Sequence, residues 1–151
     1  MWMFRRYMKE NSINERNLVI KTSGLPGAGK GLFTRKQIQK GALVVEYSGS
    51  IKTWKEIQAS EIFNGYVFYI TRNHVVDAMK NRKAPGRYAN DAKGQNRVTG
   101  LRNNAAYITR QKKVFIQATR DIPAGAEILV DYGKEYWDVI RYNKKLANKK
   151  G

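Results

Sequence analysis

Two stretches of this chain concentrate side chains able to do chemistry. The first runs Gly86-Arg87-Tyr88-Ala89-Asn90-Asp91-Ala92-Lys93-Gly94-Gln95-Asn96. It is too polar for a core strand and too interrupted by glycine for a helix. Its two asparagines, one aspartate and backbone groups suit a ligand with a donor-rich end and an acceptor-rich end. As local structure alone, the same residues make an Asn/Asp/Gly turn between strands. The second stretch is Glu127-Ile128-Leu129-Val130-Asp131-Tyr132-Gly133-Lys134-Glu135-Tyr136-Trp137. Here an apolar strand delivers a tyrosine, stops at Gly133 and is followed by two more aromatics.

A third stretch, Gly24-Leu25-Pro26-Gly27-Ala28-Gly29-Lys30-Gly31, fits Gly-x-x-x-x-Gly-Lys and follows a strand-like segment, as a phosphate-cradling loop does. The Ser or Thr that would hold magnesium is Gly31, however. The segment after it reaches Gly41 too soon for the long helix whose positive end would face phosphate. No apolar strand ending in aspartate offers a magnesium partner. The nucleotide-hydrolase reading is discounted on these grounds.

The elements that must position these stretches are mostly short strands. Leu18–Lys21, Gly41–Gly49, Tyr66–Ile70, His74–Ala78 and Lys113–Ala118 read as strands. Thr53 to Ile62 has helical character, with Thr53 and Glu56 at the spacing of a capping box. Asp121–Gly125 is a Pro/Gly turn leading to the strand that carries Tyr132. Trp137, Ile140 and Leu146 suit a C-terminal helix with a basic tail. His74 opens a strand and reads as a surface residue. The expectation is a mainly β chain with few short helices: an arm over 1–17, one domain over 18–137, and a C-terminal helix and tail over 138–151.

Composition narrows the function. A chain of 151 residues is one domain, large enough to bury a core without staples. It has no cysteine and one histidine, so neither a disulfide framework nor a thiolate or His-rich metal site is expected. No apolar run approaches the ~20 residues of a membrane helix, and the N-terminus lacks the apolar region of a secretory signal. A soluble intracellular protein is expected, cytoplasmic or associated with chromatin. There are 29 basic and 12 acidic residues, a net charge of +17. Such an excess attracts polyanions, nucleic acid above all, although charge alone defines no site.

Together the motifs resemble those of the SET-domain protein lysine methyltransferases. The family's Arg-Phe-x-Asn-His-Ser-Cys-x-Pro-Asn is matched at Arg87, Asn90 and Asn96, and conservatively at Tyr88. Its Gly-Glu-Glu-Leu-x-x-Asp-Tyr-Gly is matched at Gly125, Glu127, Asp131, Tyr132 and Gly133. Gly29-Lys30-Gly31-Leu32-Phe33 matches a third element, Gly-x-Gly-Leu-Phe, in which Leu32-Phe33 would start the return strand. The departures are Asp91 for His, Lys93 for Cys and Gln95 for Pro. The resemblance implies small sheets in a β-clip arrangement, around a pseudoknot in which the C-terminal strand region meets the Asn90 segment. It implies methyl transfer from S-adenosylmethionine to a lysine ε-amine of a protein. Tyr132 would be catalytic, and Tyr66 catalytic or channel-lining, with Phe68 and Val130 along the lysine channel. Lys30, Gly31, Leu32, Arg87, Asn90, Asp91, Tyr132 and Trp137 would hold the cofactor, Lys30, Gly31, Leu32 and Asp91 through their backbone. Val130 is small and lacks a hydroxyl, so more than one methyl group is expected on the product.

The charge raises a conflict. Enzymes of this family often act on basic tails, which a chain of +17 repels. Either an acidic patch drawn from Glu46, Glu56, Glu61 and Asp77 lies at the channel mouth, or the substrate is presented on nucleic acid. The second is favoured, with a histone or other DNA-binding protein as substrate. The competing reading is a SET-like basic module that binds nucleic acid or chromatin with little catalysis.

Overall fold

The computed structural model describes residues 15–94 and 97–150. Residues 1–14 of the arm expected over 1–17, together with Gln95, Asn96 and Gly151, lie outside them. Among the described residues, nine strands form three antiparallel three-stranded sheets. The first orders β1 (Leu18–Thr22), β2 (Lys30–Thr34) and β9 (Glu127–Ile128), with β2 central. The second orders β3 (Leu43–Tyr47), β8 (Lys113–Ala118) and β7 (Ala105–Arg110), with β8 central. The third orders β4 (Ser50–Lys52), β6 (His74–Asp77) and β5 (Val67–Thr71), with β6 central. Two helices, α1 (Trp54–Ala59) and α2 (Lys134–Lys150), complete the fold, with short 3₁₀ turns at Glu15–Asn17 and Pro85–Tyr88.

Each central strand carries fully buried side chains, as does edge strand β3, whose Leu43 and Val44 are buried too. Leu32 of β2, Val75 of β6 and Val114 and Ile116 of β8 are fully buried. The main core joins the first two sheets through Leu32, Val44, Ile116, Ile122, Ile128 and Val130. In α1 the anticipated capping box is present: the Thr53 hydroxyl accepts from the Glu56 amide, and the Glu56 carboxylate accepts from the Thr53 amide. The glycine-rich segment after β1 runs into strand β2 and not into a helix, which removes the phosphate-loop reading structurally. Two strands were not anticipated. β4 is three residues long, and β7 interrupts its alternation with two alanines. Helix α2 is continuous across residue 137, so the expected boundary there falls inside an element.

The C-terminal strand region is clasped between two distant segments. Leu129 bridges Asn90 and Val130 bridges Ala105, both in parallel. The Val130 amide donates to the Asn90 carbonyl at 2.8 Å, and the Ala105 amide donates to the Leu129 carbonyl at 3.0 Å. Residues 90 and 105 are the two ends of one loop, so the chain end is inserted between the arms of that loop, the knot-like arrangement expected. Such threading is rare and no periodicity argument produces it.

The β7–β8 hairpin closes through Gln111 and Lys112, at φ of 52° and 60°. Both are left-handed, a conformation that costs an ordinary L-residue ~1–2 kcal/mol and that Asn-Gly adopts readily. Replacing Gln111 by Asn and Lys112 by Gly together should raise the unfolding free energy by about 1 kcal/mol, read as a higher urea midpoint at unchanged m-value.

Candidate functional site

A cavity of ≈ 720 Å³ opens where the three sheets and α2 meet. That lies within the ~300–1,000 Å³ usual for small-ligand pockets. Its two ends differ in chemistry. One end is polar and glycine-rich, formed by Leu25–Ala28, Lys30, Asn90, Asp91 and Gly94, with Trp137 beside them. The other is aromatic, formed by Tyr47, Tyr66, Phe68, Tyr107 and Tyr136, with Tyr132 joining the two.

The polar end is built around two buried carboxylates. Asp91, 4% exposed, accepts four hydrogen bonds. Its Oδ1 takes the Lys93 amide and Asn103 Nδ2, both at 2.8 Å. Its Oδ2 takes the Tyr132 amide at 2.9 Å and the Trp137 indole Nε1 at 2.7 Å. One side chain thus holds its own turn, the strand end and the first turn of α2. Glu127, 7% exposed, accepts from the Ser23 hydroxyl at 2.6 Å and the Gly24 amide at 2.8 Å. Asn90 Nδ2 donates to the Lys30 carbonyl at 2.9 Å and reaches the Glu127 carboxylate at 3.5 Å. The glycine loop, the Asn90 segment and the C-terminal strand are therefore tied to one acid. A Cβ at Gly31 would lie 2.4 Å from Glu127 Oε2, and one at Gly94 would lie 2.6 Å from the Trp137 ring. Both positions require glycine for close approach.

At the aromatic end the hydroxyls are oriented by backbone. Tyr132 donates its hydroxyl hydrogen to the Ala89 carbonyl, and Tyr47 donates to the Tyr66 carbonyl at 2.8 Å. Burial pushes the Tyr132 phenol well above its ordinary value, and the neighbouring Tyr107, Tyr136 and Tyr47 phenols add to it. Burial likewise raises Tyr47, Tyr107 and Tyr136. These phenols stay protonated at physiological pH and can orient a ligand but not deprotonate it. The Arg87 guanidinium lies 4.2 Å from the Tyr66 ring centroid and 5.4 Å from that of Tyr88. Its Nε is the one buried side-chain polar atom without a hydrogen-bond partner among the described residues.

Several anticipated site residues converge on this cavity: Lys30, Tyr66, Phe68, Arg87, Asn90, Asp91, Tyr132 and Trp137 all line it. Arg87 stands at the aromatic end rather than among the polar groups. Three residues stand behind the wall. Leu32 and Val130 are fully buried in the main core, and Gly31 is covered by Glu127. The Leu32 and Val130 side chains pack in the main core and neither lines the cavity, while the contact expected of Gly31 and Leu32 is a backbone one that side-chain burial does not decide. The extra space expected beside a substrate amine is thus not made directly by Val130. Tyr47, Tyr107 and Tyr136 were missed by sequence reasoning. Tyr47 stands at the end of the strand anticipated over Gly41–Gly49; Tyr107 sits in a strand that was not anticipated. The candidate acidic patch does not form at the cavity. Asp77 is buried on Lys52, Glu46 faces Lys113, Glu56 caps α1, and none of the four candidates lines the wall.

The SET-domain family model matches residues 29–133, from the glycine loop through the Asp131-Tyr132-Gly133 turn. The chain belongs to the SET-domain family. Relatives include the zebrafish (Danio rerio) N-lysine methyltransferase KMT5A-A, 33% identical over 119 residues, covering 72% of this chain and 33% of that protein. The Caenorhabditis elegans histone-lysine N-methyltransferase set-1 is 27% identical over 130 residues, covering 80% and 52%. The SET chain therefore spans about a third to a half of the length of these two relatives. Among solved structures, the methyltransferase domain of human PR domain-containing protein 2 matches with a TM-score of 0.55 at 20% identity, covering 85% of this chain and 83% of that one. That likeness concerns the fold. It agrees with the small sheets and few helices found here.

The family's usual His is Asp91 here, and the four donors it satisfies make this a structural exchange. Asp91→Asn turns one acceptor into a donor facing N–H groups, and a lost bond to a buried charge costs ~1.5–3 kcal/mol. Asp91→His restores the family residue but cannot accept from four donors. Both variants should lower the urea midpoint by at least ~2 kcal/mol equivalent, with altered Trp137 fluorescence.

Proposed function

We propose that this SET domain transfers methyl groups from S-adenosylmethionine to a lysine ε-amine of a protein substrate. The observation that carries the reading is the two-ended cavity with the Tyr132 hydroxyl at its junction. The polar end fits the cofactor's donors and acceptors. Backbone of the Leu25–Lys30 loop, the Asn90 side chain and the Trp137 face would hold its amino-acid and adenine parts, and the Asp91 carboxylate, already spent, leaves only backbone for ligand contact. What the cofactor supplies is a methyl group activated on a sulfonium.

The chain's own residues then act by position. Displacement at a methyl carbon needs nucleophile, carbon and leaving sulfur in line, and holding two partners so can supply several kcal/mol, with ~7–11 as the upper range. Tyr132 has its hydroxyl hydrogen engaged by Ala89, so its oxygen lone pairs are turned to accept from the amine and to contact the methyl C–H groups. Tyr47, Tyr66, Phe68 and Tyr107 wall a lysine channel that excludes water. The amine must arrive neutral from a pKa of ~10.4. Desolvation in this channel, the Arg87 cation and the nearby sulfonium all disfavour ammonium and lower that value. The proton leaves to solvent before transfer, since no wall phenol can take it. A protein substrate with a basic tail would gain nothing from the wall, whose cations are Lys30 and Arg87. The alternative of a SET-like basic module with little catalysis is separated from this reading by the first experiment below.

Tyr132→Phe removes one oxygen and should abolish most turnover while S-adenosylmethionine affinity by calorimetry stays within about threefold. Wild-type turnover in the variant would reject the role given to the hydroxyl. The second experiment is the pH–rate profile of kcat. The rate should rise with pH as the amine deprotonates. In Arg87→Gln the rising limb should move to higher pH, because a cation that opposed ammonium is gone. An unmoved or downshifted limb would remove Arg87 from the channel electrostatics.

A further inference from the structure

The end of β3 carries a cationic surface that the proposed cavity does not use. Two loops meet there. The β7–β8 turn supplies Arg110, Lys112 and Lys113, and the segment after β6 supplies Lys80, Arg82 and Lys83, all exposed. They are brought together through β3. Tyr47 pairs with Val114 on one side, and Asn81 Nδ2 donates to the Ser48 carbonyl at 3.0 Å on the other. Among the described residues, the one carboxylate tied to this surface by an ion pair is Glu46, 3.9 Å from Lys113 and too exposed to neutralise much.

Three observations give the surface a purpose. The first is the turn's strain. Gln111 and Lys112 hold left-handed φ where Asn-Gly would be relaxed, and the strained pair keeps a run of cations at the tip. Strain retained at a loop tip points toward use of that tip. The second is that acidic residues are consumed elsewhere. Asp77, Asp91 and Glu127 are buried, and Asp131 and Asp138 are ion-paired, so the positive field at the surface is poorly compensated. The third is chemical. Every large exposed hydrophobic side chain lies outside these two loops. A protein-binding patch would need an apolar or aromatic centre. Charge without such a centre suits phosphate contacts.

We propose that the loops Lys80–Lys83 and Arg110–Lys113 form a surface for the phosphate backbone of a nucleic-acid duplex. Contacts of this kind position the protein without reading sequence. The surface stands independently of the methyl-transfer reading, since it uses none of the cavity residues.

The test uses the full chain and a labelled duplex of about 20 base pairs, with anisotropy followed between about 50 and 200 mM salt. Each neutralised phosphate contact should lower the slope of log K against log salt by ~0.9. Arg82→Gln/Lys83→Gln and Lys112→Gln/Lys113→Gln should each lower it by nearly two, and together by about 3 to 4. A control removing the same charge elsewhere, Lys36→Gln/Lys40→Gln/Lys145→Gln/Lys149→Gln, should leave the slope nearly unchanged. Unfolding midpoints compared across the set show that each variant is folded, and the two double variants give independent readings. Equal loss in the control would overturn the proposal in favour of diffuse charge. Polyglutamate displacing the duplex at equal charge would overturn it in favour of an acidic protein. RNA and DNA duplexes run in parallel show which backbone is preferred.

Discussion

The structure depends on one buried carboxylate more than on any apolar contact. Asp91 gathers an amide from its own turn, the Asn103 amide, the Tyr132 backbone and the Trp137 indole. These donors come from three segments that no local propensity would bring together. Burying a charge is expensive unless it is fully paired, and a fully paired one is intolerant of change. Asp91 therefore acts as a register pin. It sets where the strand end stops, hence where the Tyr132 phenol points, and it fixes Trp137 as a wall of the cavity. Glu127 does the same for the glycine loop from the other side, and Asn104 helps by taking the Leu129 amide and giving to the Glu127 carbonyl. The inserted chain end is held by side chains that imitate strand neighbours.

Much of this was legible in the sequence, and the failures are instructive. The Thr53/Glu56 cap and the apolar strand runs are local or periodic signals, so they read directly. The two motifs named the segments that meet at the cavity, because a motif records spacing that geometry has already selected. What motifs do not record is depth. Val130 stands two residues before Tyr132 in the second motif, yet its side chain lies in the core. Tyr107 was invisible because β7 begins with two alanines, which favour strands weakly. Asp91 looked like a loss when read against the family motif. Only its four donors show that the exchange was accommodated by the turn, by Asn103 and by Trp137 together.

Helix α2 links the cavity to the outside. Tyr136, Trp137 and Ile140 roof the site, and the same helix continues into turns where Tyr142 and Leu146 are exposed. Its first turns are neutralised internally, Asp138 pairing with both Lys134 and Arg141. Such exposed pairs contribute little to stability. Packing of three aromatic rings, Tyr132, Tyr136 and Trp137, with centroids 4.8 to 5.9 Å apart, is the stronger anchor.

The wall also distinguishes a transferase from a reader on the proposed chemistry. A ring of tyrosines and a phenylalanine resembles the aromatic cages that bind methylated ammonium by cation–π attraction. A cage that retains a cation gains from a nearby free carboxylate and loses from a nearby positive charge. Here the lining carboxylate, Asp91, is saturated by four donors, and Arg87 lies on Tyr66 at the same end as the rings. On the proposed reading, the arrangement would destabilise ammonium in the channel. For a binding module that would be a defect. For a methyl transfer it is a requirement, because only the neutral amine has the lone pair that attacks. On the proposed chemistry, the same Arg87 that would make the cavity a poor cage would make it a suitable place for a lysine to lose its proton.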